Sequence, residues 1–550
     1  MSLPSGPLLA IEGLDVRLPP GADRAFALSG IDLTLAENEI LCVVGESGSG
    51  KSMLANAVMR LLPPGVEAEA GRILFGGRDL LAASETEMRK IRGAGIGMIF
   101  QEPMTALNPL QRAGDQVGEM FRIHTGLDTR AIRERTLALF AEVRLPDPEE
   151  ALRAYPHELS GGQRQRVMIA MALALEPRVL IADEPTTALD VTTQARILDL
   201  IQDIQRRRGA AILFITHDFG VVAEIADRVA VMQAGRVVEE GPAERVLNRP
   251  EAAYTRALIA AVPPLLPRAP RAPGGAPILR LDGVSKTYRG GSLFSRRWRV
   301  THAVKDVSLD LPKGTTLGIV GESGSGKSTL ARCIVRLLDP DTGAIRLGDT
   351  DLASLSRRAM RREARRVQMV FQDPFASLNP RRRAGELVAQ GPMVHGMARG
   401  PALAKARELF ALVGLDPSAI DRFPHEFSGG QRQRIGLARA LALDPEVLVA
   451  DEPVSALDVS VQAQVLALLD ELRDRLGLSM VFITHDLRVA ARICDRIAVM
   501  KDGAVVEAGP TASVFSDPQH PYTRALLDAV PGRAWSTRSA AAALAAAPAA

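Results

Sequence analysis

The chain has 550 residues, enough for more than one hydrophobic core, and sets 67 basic side chains against 64 acidic ones for a formal charge of +3. That balance excludes a protein whose main task is gripping nucleic-acid phosphates, and contents of 47% hydrophobic and 24% charged residues exclude a disordered chain. The three cysteines, Cys42, Cys333 and Cys494, are far apart in apolar surroundings with no metal-ligand spacing, so buried thiols in a reducing cytoplasmic compartment are expected.

No stretch reaches the roughly 18 uncharged apolar residues of a membrane span, and the N-terminus lacks a basic segment followed by an apolar one. The expectation is a chain that neither crosses a bilayer nor carries a signal peptide.

In chain order, the first strong signal is ILCVVG at 40–45, a short β-branched run that reads as a buried strand and leads into GESGSGKS at 45–52. The same octapeptide recurs at 321–328 after TLGIVG. SGGQRQR begins at Ser160 and Ser428, ADEP at Ala182 and Ala450, and FITHD at Phe214 and Phe482, in identical order. Four blocks in register mean a tandem duplication of one unit of about 250 residues. Strand-like runs (VLIADE, AILFITHD) alternate with helix-like ones (VTTQARILDLIQDIQRR), which calls for a parallel sheet flanked by helices, with ligands beyond the carboxyl ends of the strands. Between the copies, residues 262–277 are rich in Pro, Ala and Gly and read as a short, semi-extended linker; the Ala-rich end reads as a loose tail.

GESGSGKS fits the phosphate-loop pattern, in which glycines let backbone N–H groups wrap phosphates at a helix N-terminus. Gly45, Ser47, Gly48, Gly50 and Lys51 form the first such loop, and Gly321, Ser323, Gly324, Gly326 and Lys327 the second. The lysines should reach the β- and γ-phosphates of ATP, and Ser52 and Ser328 should hold Mg²⁺. Further on, four apolar residues end in Asp183-Glu184 and in Asp451-Glu452, 132 and 124 residues after the loop lysines. Neighbours at a strand end point to different sides, so one carboxylate of each pair can attend Mg²⁺ while the other faces an attacking water.

Two phosphate loops, each followed by a glutamine segment (Gln101 in MIFQEP, Gln372 in MVFQDP), an SGGQ motif, a DE pair, an ALD tripeptide and a TH pair, resemble the nucleotide-binding domains of ABC transporters. The resemblance implies an α/β fold of two tandem P-loop NTPase domains of ABC type, each a parallel-sheet core with a helical subdomain over 102–159 or 373–427. It implies domains at 1–261 and 278–531, with the linker at 262–277 and the tail at 532–550. By resemblance, Gln101 and Gln372 sense Mg²⁺ and the membrane partner, Asp183 and Asp451 organise the metal, Glu184 and Glu452 act on water, and His217 and His485 contact the γ-phosphate. Ser160, Gly161, Gly162 and Gln163, with Ser428, Gly429, Gly430 and Gln431, look like signature segments, each capping ATP held by the other domain. Tyr288 matches the family's adenine-stacking aromatic, whereas Leu18 stands at the aligned place in the first copy, which implies weaker nucleotide binding there.

HEFSGGQRQR, SLNP and HPYTRALLDAVP (from His520) are similar to ATPases that energise dipeptide, oligopeptide and nickel uptake, and the fused arrangement resembles single-chain subunits of microcin C and glutathione importers. The first copy departs from this, with EAAYTRALIAAVP at 251 in place of the His-Pro pair. The implied function is an ATP-hydrolysing importer subunit, peripheral on the cytoplasmic face of the inner membrane. Its implied partners are two transmembrane permease subunits and, through them, a periplasmic binding protein, with no nucleic acid. A soluble, non-transport switch acting on ribosomes or nucleic acid is the rival reading.

Overall fold

In the first copy, Leu9–Arg17 (β1), Phe26–Leu35 (β2), Glu67–Phe75 (β4) and Arg78–Asp79 (β5) build a four-stranded sheet in the order β2-β1-β4-β5. A second sheet runs β10-β9-β3-β8-β7-β6 through Ile40–Val44 (β3), Ile96–Ile99 (β6), Val179–Asp183 (β7), Ala211–Thr216 (β8), Arg228–Gln233 (β9) and Arg236–Pro242 (β10). Pairing is parallel from β6 to β9, and β10 closes the edge antiparallel. Every residue of β3, β7 and β8 is buried, as expected for strands covered on both faces. This computed structural model describes residues 6–187, 189–269, 271, 275–290, 299–373, 377–455 and 457–535. Ala188 and Ala456 of the two ALD tripeptides, four linker positions (270 and 272–274) and the tail from 536 onward lie outside them.

The parallel core agrees with the sequence reading, and the antiparallel four-stranded sheet adds to it. Its local signal is faint: β2 alternates buried and exposed residues over only part of its length, and β1 is broken by register shifts after Ile11, where Gly13 stands with φ 57°. The helices of the first copy include Lys51–Met59 (α1), Ala113–His124 (α2), Thr129–Glu142 (α3) and Gly161–Leu173 (α4). A fifth, Ala253–Ala261 (α5), follows β10.

The second copy repeats the plan. Pro277–Gly290 (β11), Arg299–Pro312 (β12), Thr342–Leu347 (β14) and Thr350–Asp351 (β15) form the sheet β12-β11-β14-β15. Thr316–Val320 (β13), Val367–Val370 (β16), Val447–Asp451 (β17), Ser479–Thr484 (β18), Arg496–Lys501 (β19) and Ala504–Pro510 (β20) form β16-β17-β18-β13-β19-β20. Its helices include Lys327–Ile334 (α6), Ala384–Val394 (α7), Arg399–Leu412 (α8), Gly429–Leu441 (α9), Val459–Leu476 (α10), Leu487–Ile493 (α11) and Pro521–Asp528 (α12). Packing divides the chain into two compact units, residues 1–189 with 193–262, and 263–550 with 190–192. All three cysteines are buried and free, and burial pushes the Cys333 thiol up to about 11.

Arg268 and Arg271, within the Pro-rich stretch, are anchored to the second unit. The Arg268 guanidinium donates to Asp470 at 2.8 Å and to Asp495 at 3.0 Å, and Arg271 donates to Asp474 at 2.9 Å. Asp495, buried at the foot of β19, also accepts the Thr316 N–H at 2.8 Å. Arg473, 1% exposed, links Asp470 to the Thr316 hydroxyl. At the corresponding positions of the first unit stand Gln202, Gln205 and Arg206 in place of Asp470, Arg473 and Asp474. Of the anchoring acids, Asp470 and Asp474 are thus a property of the second copy, whereas Asp495 has its counterpart in Asp227.

Removing a cation from a buried acid leaves that acid under-compensated. We therefore expect Arg268→Met to lower the stability of the second unit by about 2 kcal/mol, read as an earlier unfolding midpoint in denaturant, and to expose residues 262–277 to proteases. An unchanged midpoint and cleavage pattern would show that the anchor carries no weight.

Candidate functional site

Aligned parallel strands bring the motif residues of each unit to one sheet edge. Val44 pairs with Thr216 and Asp183 with Ile215, so the loop after β3, the acids after β7 and the histidine after β8 leave the sheet side by side. The second unit repeats this with Val320 against Thr484 and Asp451 against Ile483.

The loop after β3 turns into α1 through Gly50, whose φ is 107°. A Cβ there would meet Leu28 Cδ2 at 2.8 Å and Ala27 O at 2.9 Å; at Gly326, with φ 102°, it would meet Ala303 O at 2.0 Å. Only glycine fits both the backbone and the space. Lys51 is buried, and its ammonium donates to Gly45 O at 2.7 Å and Glu46 O at 2.8 Å. Lys327 does the same with Gly321 O and Glu322 O, at 2.8 and 2.7 Å, and burial draws its pKa down.

Ser52 donates to Asp183 Oδ1 at 3.1 Å, and Ser328 to Asp451 Oδ1 at 3.0 Å. Burial pushes Asp183 up to about 6, only partly offset by the Ser52 hydrogen bond, and Asp451 rises for the same reason. A buried carboxylate beside a hydroxyl is an oxygen-only donor pair that suits a hard cation taking its remaining ligands from phosphate and water. The pair therefore fits Mg²⁺. Among the described residues, no group of three or more His, Cys, Asp or Glu side chains is arranged to hold a metal on its own.

Glu184 turns away from Asp183 because its backbone enters the left-handed region, φ 45°, as does Glu452 at 46°. For a residue other than glycine this costs about 1–3 kcal/mol, and it separates the two carboxylates. Glu184 contacts His217 Nδ1 at 3.3 Å and accepts from Gln101 Nε2 at 3.1 Å and the Thr187 hydroxyl at 2.8 Å. Glu452 contacts His485 Nδ1 at 3.2 Å and accepts from Gln372 Nε2 at 2.9 Å. Burial opposes ionisation of Glu184, but hydrogen bonding and charge from His217 outweigh it and draw the carboxyl down to about 2. Burial works against a charged His217 too, and Glu184 more than offsets it, so the histidine is raised; Glu452 and His485 follow the same pattern.

Ser160 and Ser428 cap the N-termini of α4 and α9. Each hydroxyl accepts the backbone N–H of Gln163 or Gln431 at 3.3 Å, and each glutamine side chain returns to the serine N–H at 2.8 or 2.9 Å. Gly161 and Gly429 face open space, with no atom within 4 Å of a built Cβ. Gly162 and Gly430 are instead pressed against Thr193 and Val461, at 2.8 and 2.4 Å from such a Cβ. The first glycine of each motif leaves room for a ligand, and the second permits packing.

Lysine, serine, aspartate, glutamate, glutamine and histidine thus converge within each unit, and the signature residues stand at separate helix starts. Ser47 and Ser323 lie in the loops, with Gly48 and Gly324 at φ 74° and 81°. Tyr288 on β11 is 40% exposed, whereas Leu18 packs against the core of the first unit. Sequence reasoning missed Thr187, and it missed Tyr254 and Tyr522, whose hydroxyls reach the phosphate loops at Glu46 and Glu322. The repeated YTRAL in the two C-terminal extensions was the signal for the tyrosines.

Comparison with known proteins fits this geometry. The family described as "ABC transporter" matches residues 28–187 and 304–455, and "Oligopeptide/dipeptide transporter, C-terminal region" matches 238–300 and 506–547. The chain is 47% identical to the peptidoglycan transport ATP-binding protein YejF of Agrobacterium fabrum, over 95% of this chain and 96% of that protein. It is 46% identical to the glutathione import ATP-binding protein GsiA of Salmonella paratyphi A, over 96% of this chain and 90% of the relative, and equally to that of Salmonella typhimurium. With two complete sets of motif residues folded into two matching sites, the chain belongs to the ABC transporter family of ATP-binding proteins.

Proposed function

We propose that this chain is the ATP-hydrolysing subunit of an importer for peptides or peptide-containing solutes. The observation that carries the reading is that both units hold the full set of lysine, serine, aspartate, glutamate, glutamine and histidine in matching hydrogen-bonded arrangements, so neither site is degenerate. The peptide assignment is supported by the oligopeptide-type C-terminal match in both halves and by relatives named for peptidoglycan and glutathione transport. A soluble switch on ribosomes or nucleic acid has no comparable support.

In this reading Lys51 and Lys327, held against loop carbonyls, extend a further ammonium N–H to the β- and γ-phosphates of ATP. Ser52 with Asp183, and Ser328 with Asp451, hold Mg²⁺, which when bound neutralises phosphate charge. Glu184 and Glu452, kept ionised and aimed by the adjoining histidine and glutamine, orient or deprotonate the attacking water. His217 and His485 also contact the γ-phosphate. The signature segments at 160–163 and 428–431 each open a helix with a serine hydroxyl, backbone N–H groups and a positive dipole end, a second cradle suited to phosphate in each unit.

Among the described residues, no helix is long and apolar enough to cross a membrane, so the channel belongs to partner subunits. The second unit offers them a groove of about 360 Å³ lined by Val335, Leu337, Phe371, Leu387, Val394 and Leu443 between its sheet and α7. Leu337 is 58% and Val394 64% exposed, and the first unit shows Leu61 and Ile123 exposed at matching places. Apolar side chains held in water beside a groove suit an apolar helix of a permease subunit on the cytoplasmic face of the inner membrane. A periplasmic binding protein then selects the solute.

Two experiments test this function. Glu184→Gln combined with Glu452→Gln should keep ATP affinity within about twofold and lower turnover at least about 100-fold; undiminished hydrolysis refutes the role given to both acids. Leu61→Glu and Ile123→Glu combined with Leu337→Glu and Val394→Glu should abolish co-isolation with the two hydrophobic subunits from membranes while hydrolysis by the isolated chain persists. Co-isolation that is unaffected, or absent from the wild type, would remove the permease docking assigned here.

A further inference from the structure

The helix α5 begins at Ala253 and presents Tyr254, whose hydroxyl accepts the Glu46 backbone N–H at 3.3 Å and donates to Glu46 Oε2 at 3.3 Å. In the second unit α12 presents Tyr522, whose hydroxyl accepts the Glu322 N–H at 3.2 Å. Glu46 and Glu322 each follow the first glycine of a phosphate loop. The N–H of Glu46 belongs to the same peptide plane as the carbonyl of Gly45, and in a planar trans peptide the two point in opposite directions. Gly45 O is an acceptor for the Lys51 ammonium, and Gly321 O is the equivalent acceptor for Lys327. One rigid peptide unit therefore has a tyrosine hydroxyl on one side and the phosphate-binding lysine on the other, in both copies.

The helix carrying the tyrosine is itself fixed to the sheet that carries the loop. Glu239 on β10, 8% exposed, accepts the N–H groups of Glu251 and Ala252 at 2.9 and 3.0 Å, just ahead of α5. Glu507 on β20 accepts those of Gln519 and His520 at 2.9 and 3.0 Å, just ahead of α12. The edge strands β10 and β20 lie beside β9 and β19, which flank β3 and β13. A closed circuit results, from the central strand into the phosphate loop, across the tyrosine to the extension helix, through the glutamate to the edge strand, and back into the sheet.

We propose that Tyr254 and Tyr522 are positioning residues for ATP binding: each fixes the peptide plane after the first loop glycine so that its carbonyl faces the phosphate-binding lysine. This rests on the ATPase reading above and deepens it. It gives the C-terminal extension a task at the nucleotide, since displacing the extension helix would rotate that plane and shift the lysine. Holding lysine and loop in shape before the nucleotide arrives lowers the ordering cost of binding and acts alike on bound substrate and transition state.

The test is full-length chain carrying Tyr254→Phe and Tyr522→Phe, which keeps the rings and removes only the hydroxyls, compared with wild type in steady-state ATP hydrolysis and thermal unfolding. The expected result is a KM for ATP raised about fivefold, the weight of one neutral hydrogen bond per site, with kcat within twofold and unfolding midpoints unmoved. An unchanged KM would overturn the proposal. So would a fall in kcat alongside lowered unfolding midpoints, which would make the hydroxyls merely structural. A wild type without saturable ATP hydrolysis would count against the ATPase reading itself, an outcome distinct from either.

Discussion

Level parallel pairing of three strands is the constraint on which both sites rest. Because β3, β8 and β7 end at one edge, and β13, β18 and β17 do the same in the second unit, residues more than a hundred positions apart in the chain emerge as neighbours. A slip of one residue in this register would turn Asp183 away from Ser52 and swing Glu184 from His217, since neighbouring strand residues face opposite sides. The fully buried aliphatic strands resist such a slip, so the hydrophobic core sets the geometry of the polar site. What the core does not set is done by local backbone: the left-handed turn at Glu184 and Glu452 lets two adjacent acids take different partners.

Much of this is legible in the sequence because each signal is short-ranged and repeated. The strand-loop-helix at 40–59 announces itself by an apolar run, glycines and a lysine, and its second appearance at 316–334 removes the chance explanation. The acids and histidines are legible because they end apolar runs of strand length. The antiparallel sheet is not, since its strands are interrupted by glycines and register shifts, and β1 and β11 must also pair across tens of residues with β4 and β14. The extension tyrosines are hidden for a different reason: a hydroxyl 208 residues from its partner N–H leaves no periodicity, and only the duplicated pentapeptide marks it. The signature motif is half legible, because the sequence shows two glycines but not that one is left open while the other is crowded by a side chain.

The two sites are alike in hydrogen bonding and differ at their margins. Thr187 supports Glu184 through its hydroxyl, whereas Ser455 at the matching place donates to the backbone oxygen of Glu452. Tyr288 offers an exposed ring where the first unit has packed Leu18. Such differences leave the chemistry of both sites intact while giving each its own nucleotide surroundings.

The acids that hold Arg268 and Arg271 bear on how a fused chain of this kind is organised. Two lie on α10 and one just before β19; the first copy has Gln202 and Arg206 where α10 has Asp470 and Asp474, and keeps Asp227 where the second has Asp495. The halves are consequently not interchangeable cassettes. A chain joined in the reverse order would present its connecting arginines to a surface that keeps Asp227 but lacks the two α10 carboxylates, so the order of the two ATPases is written into the surface of the second unit as well as into the gene.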